Sequence, residues 1–254
     1  MKSVLAIFTG TFKEGARSRL FWGILVFAIV MLLSSLVLSE FTFAERYKIV
    51  SDFGLSFITF FGILVAIFVG VELIHRELDK RTIYVILSKP IERSAFVWGR
   101  YLGLIGVILV NFVLMGIFLY GMIYFYAGEV NFLIMLAIYG SLLEAAMITA
   151  FALFYSSFTS PFVAAFATLG TYVICESIDI IRASAAKQSG IIRWTLQAIA
   201  TVFPDMSRFN LKTAAVYLDK IPASNVLFMT LYAIGYVIVL VVLTSFIFDK
   251  KEFK

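Results

Sequence analysis

Six runs of apolar residues, each about long enough to cross a bilayer, follow one another along the chain without the polar–apolar alternation of strands. They extend from Leu20 to Leu38, Phe53 to Ile74, Phe96 to Ala127, Phe132 to Phe158, Phe162 to Ile181 and Val226 to Phe248. A helix needs about 20 such residues to span a hydrocarbon core of about 30 Å. Within that core, helices and closed barrels alone satisfy their backbone hydrogen bonds. Barrel strands would alternate apolar and polar residues with a period of two, and these runs are continuous. The expectation is an all-α integral membrane protein with six transmembrane helices. Charged residues make up 15% of the 254, well under the roughly 25% of soluble domains. No stretch outside the spans is long enough for a separate soluble domain, so 1–254 is read as one membrane domain.

Basic residues set the orientation. With a cytoplasmic N-terminus, 13 of the 21 Lys and Arg residues fall on the inner side, and six of the remaining eight lie in one long loop that weighs little. Both termini of this multi-pass membrane protein are therefore expected in the cytoplasm. The third run is too long for one untilted crossing, so the turn around Arg100 is expected in the headgroup layer with its side chain snorkelling. The first run is longer than the apolar core of a signal peptide, and no convincing small-x-small cleavage site follows it.

Two stretches outside the runs look amphipathic. In residues 2–19 and the first residue of the following run, Val4, Phe8, Phe12, Ala16 and Leu20 recur every fourth position while Lys2, Lys13, Glu14 and Arg17 take other faces. That pattern predicts a helix lying in the cytoplasmic interface against membrane lipid. In the outer loop, 182–225, Ile192, Leu196, Ile199 and Phe203 form a second helical stripe ended by Pro204 and Asp205. A loop of this length with such a pattern is expected to be structured, on the outer leaflet or against an extracytoplasmic partner.

Catalytic machinery is sparse. The chain has no G-x-x-x-x-G-K-[ST] phosphate loop. One histidine, His75, and one cysteine, Cys175, cannot build a His/Cys metal cluster. No nucleophile is evident for His75, so it reads as a solvated loop residue. Work across the membrane must then be driven through a partner. The strongest charged block between spans, residues 75–95, carries five Lys and Arg residues around the apolar IYVIL. Thr82 or a neighbour can cap a short helix there, and Pro90 ends it. Its apolar face calls for a cover, either lipid or a partner protein.

That block resembles the first cytoplasmic loop of type-2 ATP-binding-cassette (ABC) permeases. These commonly show an acidic residue shortly before a Thr, an apolar stretch, then Leu-Ser/Thr-x-Pro-x-x-Arg and a basic residue at the start of the next helix. Glu77, Thr82, Leu87, Ser88, Pro90, Arg93 and Arg100 match those places, with Ile83 in the apolar stretch; Arg81 and Arg100 stand where Gly and Lys are common. FPDMSRFN resembles the Pro-Asn-x-x-x-Phe-Asn element of a branch serving nitrous oxide reductase maturation and gliding motility. Pro204, Phe209 and Asn210 match, and Asp205 replaces the usual Asn. The tail FDKKEFK is similar to that branch as well. The resemblance implies a non-catalytic permease that binds no cofactor of its own, with ATP and Mg held by two cytoplasmic ABC ATPase subunits. It also implies a second permease copy, as homodimer or paralogue, and no nucleic acid. An exporter is the expected machine. A maturation scaffold is the alternative, and a secondary transporter is disfavoured by the lack of repeats and broken helices.

Intramembrane polar residues complete the candidates. Glu144 lies near the middle of the fourth run, where a carboxylate costs about 3 kcal/mol and so marks either a path or a helix contact. Asn111 is the candidate partner. Glu176, Asp179 and Arg182, three apart, are expected to form an interfacial salt-bridge cluster. Gly99 and Gly103 form a G-x-x-x-G seam, read as packing within the chain.

Overall fold

The computed structural model describes residues 2–40, 46–79, 93–128, 131–219 and 221–250. Its described residues form ten α-helices and one short 3-10 turn, with no strand. The helices are α1 (Lys2–Ala16), α2 (Arg19–Glu40), α3 (Arg46–Asp79), α4 (Arg93–Ala127), α5 (Phe132–Ser156), α6 (Pro161–Glu176), α7 (Ile178–Lys187), α8 (Ile191–Val202), α9 (Lys212–Tyr217) and α10 (Ala223–Lys250). Four of them, α3, α4, α5 and α10, are long and apolar enough to cross a membrane. Two further crossings arise if the bent pairs α1 with α2 and α6 with α7 each count as one, so the described residues hold four to six candidate spans by length and composition.

Local chemistry explains most helix starts. Asn131 caps α5, its side chain accepting from the Leu133 amide at 3.0 Å. Pro161 opens α6, where its missing N–H costs nothing. Gly190, at φ 68°, makes the turn between α7 and α8 that a β-carbon would strain.

The fifth run does not continue straight to Ile181, as its hydropathy predicts. The chain bends by 57° between α6 and α7. At Ser177 the amide is shared between the Val173 and Ile174 carbonyls. The Cys175 carbonyl accepts from the Met206 amide at 3.2 Å. A backbone donor from outside the helix thus takes an acceptor the helix would use, a recognised cause of kinks.

In the bundle, α3 is the most enclosed of these four helices, with 72% of its apolar window buried, and α10 the least, with 28%. Polar contacts cross the core sparingly. Thr59 on α3 meets Ser141 on α5 at 2.7 Å, Tyr101 on α4 donates to the Ala146 carbonyl of α5 at 3.2 Å, and Tyr139 on α5 meets Thr230 on α10 at 3.0 Å. The Phe96 and Phe248 rings lie 6.3 Å apart, and a β-carbon on Gly99 would touch Ile7. These contacts bring the start of α1, the end of α10 and the start of α4 to one end of the bundle. Helices α7 to α9 sit at the other end, where Phe209 and Leu211 reach Gly140 near the start of α5.

Candidate functional site

The block expected to dock a partner lies mostly outside the described residues: Thr82, Ile83, Leu87, Ser88 and Pro90 all fall in 80–92. Its two anchors are described as backbone. Glu77 lies in the last turns of α3 and Arg93 opens α4.

Helix α1 packs on α3 and α4 close to those anchors. It runs parallel to the first turns of α4 in near-constant register, Ile7 beside Gly99, Thr11 beside Gly103, Phe12 beside Gly106 and Gly15 beside Val107. Glycines on α4 permit the approach. A β-carbon at Gly103 would come within 2.5 Å of the Thr11 β-carbon and 3.1 Å of the Phe8 carbonyl. At the far end of α1 the roles reverse, since a β-carbon on Gly15 would meet Val107 at 2.6 Å and Leu73 of α3 at 3.2 Å. The G-x-x-x-G seam is therefore an intrachain contact. The break between α1 and α2 is fixed as well. Trp22 Nε1 donates to the Ala16 carbonyl at 2.9 Å, and Ser18 Oγ donates to Glu72 of α3 at 3.0 Å.

Arg100 departs from expectation. Its side chain is 2% exposed instead of snorkelling, because α1 lies over it. The guanidinium stacks 5.5 Å from the Phe96 ring and faces the charge of Glu14 on α1. A buried cation beneath a helix carrying its counter-charge ties α1 to α4 electrostatically as well as sterically.

At the opposite end, Phe203–Leu211 folds into a compact knot. Asp205 is 2% exposed. Its Oδ2 accepts from Arg182 Nη1 of α7 and, at 3.2 Å, from Arg208 Nε, while Oδ1 accepts from Ser207 Oγ at 2.7 Å. Its amide donates to the Tyr232 hydroxyl of α10 at 2.9 Å. Ser207 also reaches Asp179, sharing its single hydrogen between the two carboxylates. Phe209 is buried against Tyr232, ring to ring at 6.2 Å, and Pro204 is buried too. Asn210 is exposed, its side chain accepting from the Lys212 amide at 3.3 Å to lead into α9. The knot seats on α5 at Gly140, where a β-carbon would come within 2.3 Å of the Phe209 carbonyl oxygen.

The expected cluster of Glu176, Asp179 and Arg182 is redistributed. Arg182 lies 3.7 Å from Asp179, but its closest ion pair is with Asp205, 23 residues away. Among the described residues Glu176 Oε2 has no hydrogen-bond partner. The assignment of Asn111 to Glu144 also fails. Glu144 is buried with its carboxyl paired to the Tyr172 hydroxyl of α6, its nearest charges being Glu176 and Lys212. Asn111 is fully buried in α4, and among the described residues its side-chain polar atoms have no hydrogen-bond partner. Glu144 is thus buried where α5 meets Tyr172 of α6. Sequence carried no sign of Arg182 with Asp205, of Ser18 with Glu72, or of Tyr232 as the knot's backstop.

Burial alone would raise the Asp205 pKa. The hydrogen bonds from Ser207, Arg182 and Arg208, with the Arg182 charge, outweigh it and hold the carboxyl below its ordinary value. A group depressed on folding stabilises the fold above its unfolded pKa and loses that contribution as pH falls through the folded value. Asp205→Asn should therefore cost about 2 kcal/mol at neutral pH, the worth of a charge-assisted hydrogen bond, and progressively less below pH 3.8. Thermal melts of both proteins at pH 7 and in acid check this; a constant gap would remove the titration from the knot.

The described residues contain no group of three or more His, Cys, Asp or Glu side chains placed to hold a metal. No curated protein matches the chain. The family model of the ABC-2 family transporter protein matches residues 5–253, which covers the helix clamped on α4, the 80–92 segment, the knot and the last span. A helical bundle with four to six candidate spans is what a membrane subunit of an ABC transporter, working with cytoplasmic ABC ATPases, requires. The chain belongs to the ABC-2 family of transporter proteins, as a multi-pass membrane subunit.

Proposed function

We propose that this subunit is the permease of an ATP-driven exporter-type machine in a prokaryotic inner membrane, and that 75–95 is the element through which its ATPase pushes. The observation that carries the reading is the clamp of α1. Its last turn wedges Gly15 between Leu73 near the end of α3 and Val107 in α4, while Ile7 and Thr11 interlock with Gly99 and Gly103. Both ends of the docking segment are thus tied to one helix, so a pull on 80–92 moves α1, α3 and α4 together.

In this reading both termini and the 80–92 segment face the cytoplasm. Two ATPase subunits hold the ATP and Mg, and a second permease copy, identical or paralogous, completes the pore. Glu77, Arg93 and the other charges of the block set the register of docking, since charge complementarity selects partner and rate more than affinity. Ile83 and Leu87 supply the apolar contact. Pro204, Phe209 and Asn210 match the branch that serves nitrous oxide reductase maturation and gliding motility, with Asp205 in place of its usual Asn. Members of that branch can hand energy to an extracytoplasmic partner, and the knot at the far end of the bundle suits such a hand-over. Substrate passage and hand-over are separated by reconstitution with the ATPase alone.

Ile83→Asp or Leu87→Asp should abolish co-purification of the ATPase while the subunit still inserts in the membrane, because a carboxylate buried unpaired in an apolar contact costs several kcal/mol. Undiminished co-purification by both variants would sink the docking assignment. Orientation has its own test. In a Cys175→Ala background, cysteine at Ser88 should react only with reagent supplied from the cytoplasm and cysteine at Ser189 only from outside; reaction of both from one side would overturn the topology.

A further inference from the structure

Helices α7 and α8 form a hairpin that stands apart from the bundle. They pack on each other, and α7 touches the end of α6, but among the described residues none of α3, α4, α5 and α10 packs broadly against either of them. Helix α8 buries no residue, and α7 buries only Ile178 and Ala185. Between the hairpin and α10 lies a cavity of about 580 Å³, with Arg182, Gln197, Ala200 and Thr201 on one wall and Tyr232 and Tyr236 on the other. Little apolar packing therefore opposes a movement of the pair.

The joint to α6 is one residue wide. Ser177, at φ −89° and ψ 3°, is the single non-helical residue between Pro161 and Lys187. Changes of about 25° in φ and about 45° in ψ would return it to a regular helix. The stretch from Thr171 to Ser189 contains neither Gly nor Pro, so no residue of the run itself demands the 57° bend.

The constraint comes from the knot. The Met206 amide holds the Cys175 carbonyl at 3.2 Å just before the joint, and Asp205 holds Arg182 just beyond it. The knot is in turn fixed to α10 through the Tyr232 hydroxyl and to α5 through the Phe209 carbonyl beside Gly140. Two adjacent residues thus grip the run on either side of its joint. The outer grip is a charged pair whose arginine is 43% exposed.

We propose that the α7–α8 hairpin is an arm hinged at Ser177, and that the knot is the latch holding it bent. Opening the Asp205–Arg182 pair lets α7 swing into line with α6. An unbroken helix from Pro161 to Lys187 would be about 40 Å long, more than the roughly 30 Å of hydrocarbon, so the swing raises α7 out of that layer and carries α8 with it. The arm goes beyond the transport reading and belongs to the subunit alone. Its test needs no ATPase, and its failure leaves the transporter assignment as it stands.

Spin labels on Val163→Cys and Ala186→Cys, both at exposed positions, in the full-length Cys175→Ala subunit read the bend as a distance by pulsed electron resonance. About 21 Å of α6 and about 13 Å of α7, meeting at the 57° bend, put the two positions about 30 Å apart. In line they lie about 34 Å apart. With the latch intact the shorter distance should dominate. Arg182→Ala, which leaves Ser207, Arg208 and Tyr232 on Asp205, should shift the population to the distance about 4 Å longer, and Asp205→Ala should shift it further. Ser177→Pro kinks the run without help from the knot. Added to either variant it should bring the short distance back, which it would not do for a knot that had merely unfolded. An unchanged distance in both latch variants overturns the latch, and a longer distance that survives Ser177→Pro overturns the hinge.

Discussion

Gly103→Val is expected to lift α1 off α4 and uncouple the subunit from its ATPase without preventing membrane insertion. The valine β-carbon would sit 2.5 Å from that of Thr11 and 3.1 Å from the Phe8 carbonyl, and its two methyls would crowd the same face further. Overpacking of this kind costs about 1–3 kcal/mol, and at about 1.4 kcal/mol per factor of ten it shifts a single helix contact by about tenfold or more. Because α1 also covers Arg100, its departure exposes a cation now enclosed beside Phe96 and opposite Glu14. The direct measurement is a disulfide between Ile7→Cys and Gly99→Cys in a Cys175→Ala background. The engineered β-carbons would lie about 2.8 Å apart, inside the usual separation of roughly 3.5–4.5 Å, so the bond forms with a small adjustment. It should form readily with Gly103 present and be largely lost once Gly103→Val is added. Undiminished cross-linking would show that α1 does not depend on the seam.

Gly140→Ala should destabilise the far end of the bundle. Here the obstruction is backbone, the Phe209 carbonyl oxygen at 2.3 Å from the added carbon, and a peptide group held at both ends by the knot cannot rotate away as a side-chain tip could. The strain, about 3 kcal/mol at the upper end of overpacking costs, exceeds the roughly 1 kcal/mol that alanine gains over glycine in a helix. The net loss of about 2 kcal/mol corresponds to a Tm lower by about 5 °C for a chain of this size. Gly121→Ala is the control, since a β-carbon there meets nothing within 4 Å. If the two variants melt together, the knot does not rest on α5. If Gly140→Ala alone falls, the knot rests on α5 through the Phe209 carbonyl.

The two glycine sites show how differently the same residue type reads in sequence. Gly99 and Gly103 are four apart in one apolar run, and that spacing by itself names a close-packed face. Gly140 has no such companion. Its purpose depends on Phe209, far along the chain, whose carbonyl arrives only because Asp205, Arg182 and Tyr232 fold the intervening loop.

The class was legible in the residues alone: length and continuity of apolar runs force a helical membrane protein, since hydrocarbon leaves backbone groups no other partner. The residues also placed the stop of α8, which depends on its neighbours Pro204 and Asp205. Local chemistry suffices where the interacting groups lie within a turn of each other. Tertiary structure decided everything that needed a distant partner. It buried Arg100 under α1, bent the fifth run by placing the Met206 amide on Cys175, moved Arg182 from its helical neighbours to Asp205, and gave Glu144 to Tyr172 instead of Asn111. A charged or polar group in an apolar medium takes the best partner that packing brings within reach, and which residues packing brings together is not written in the spacing of either one.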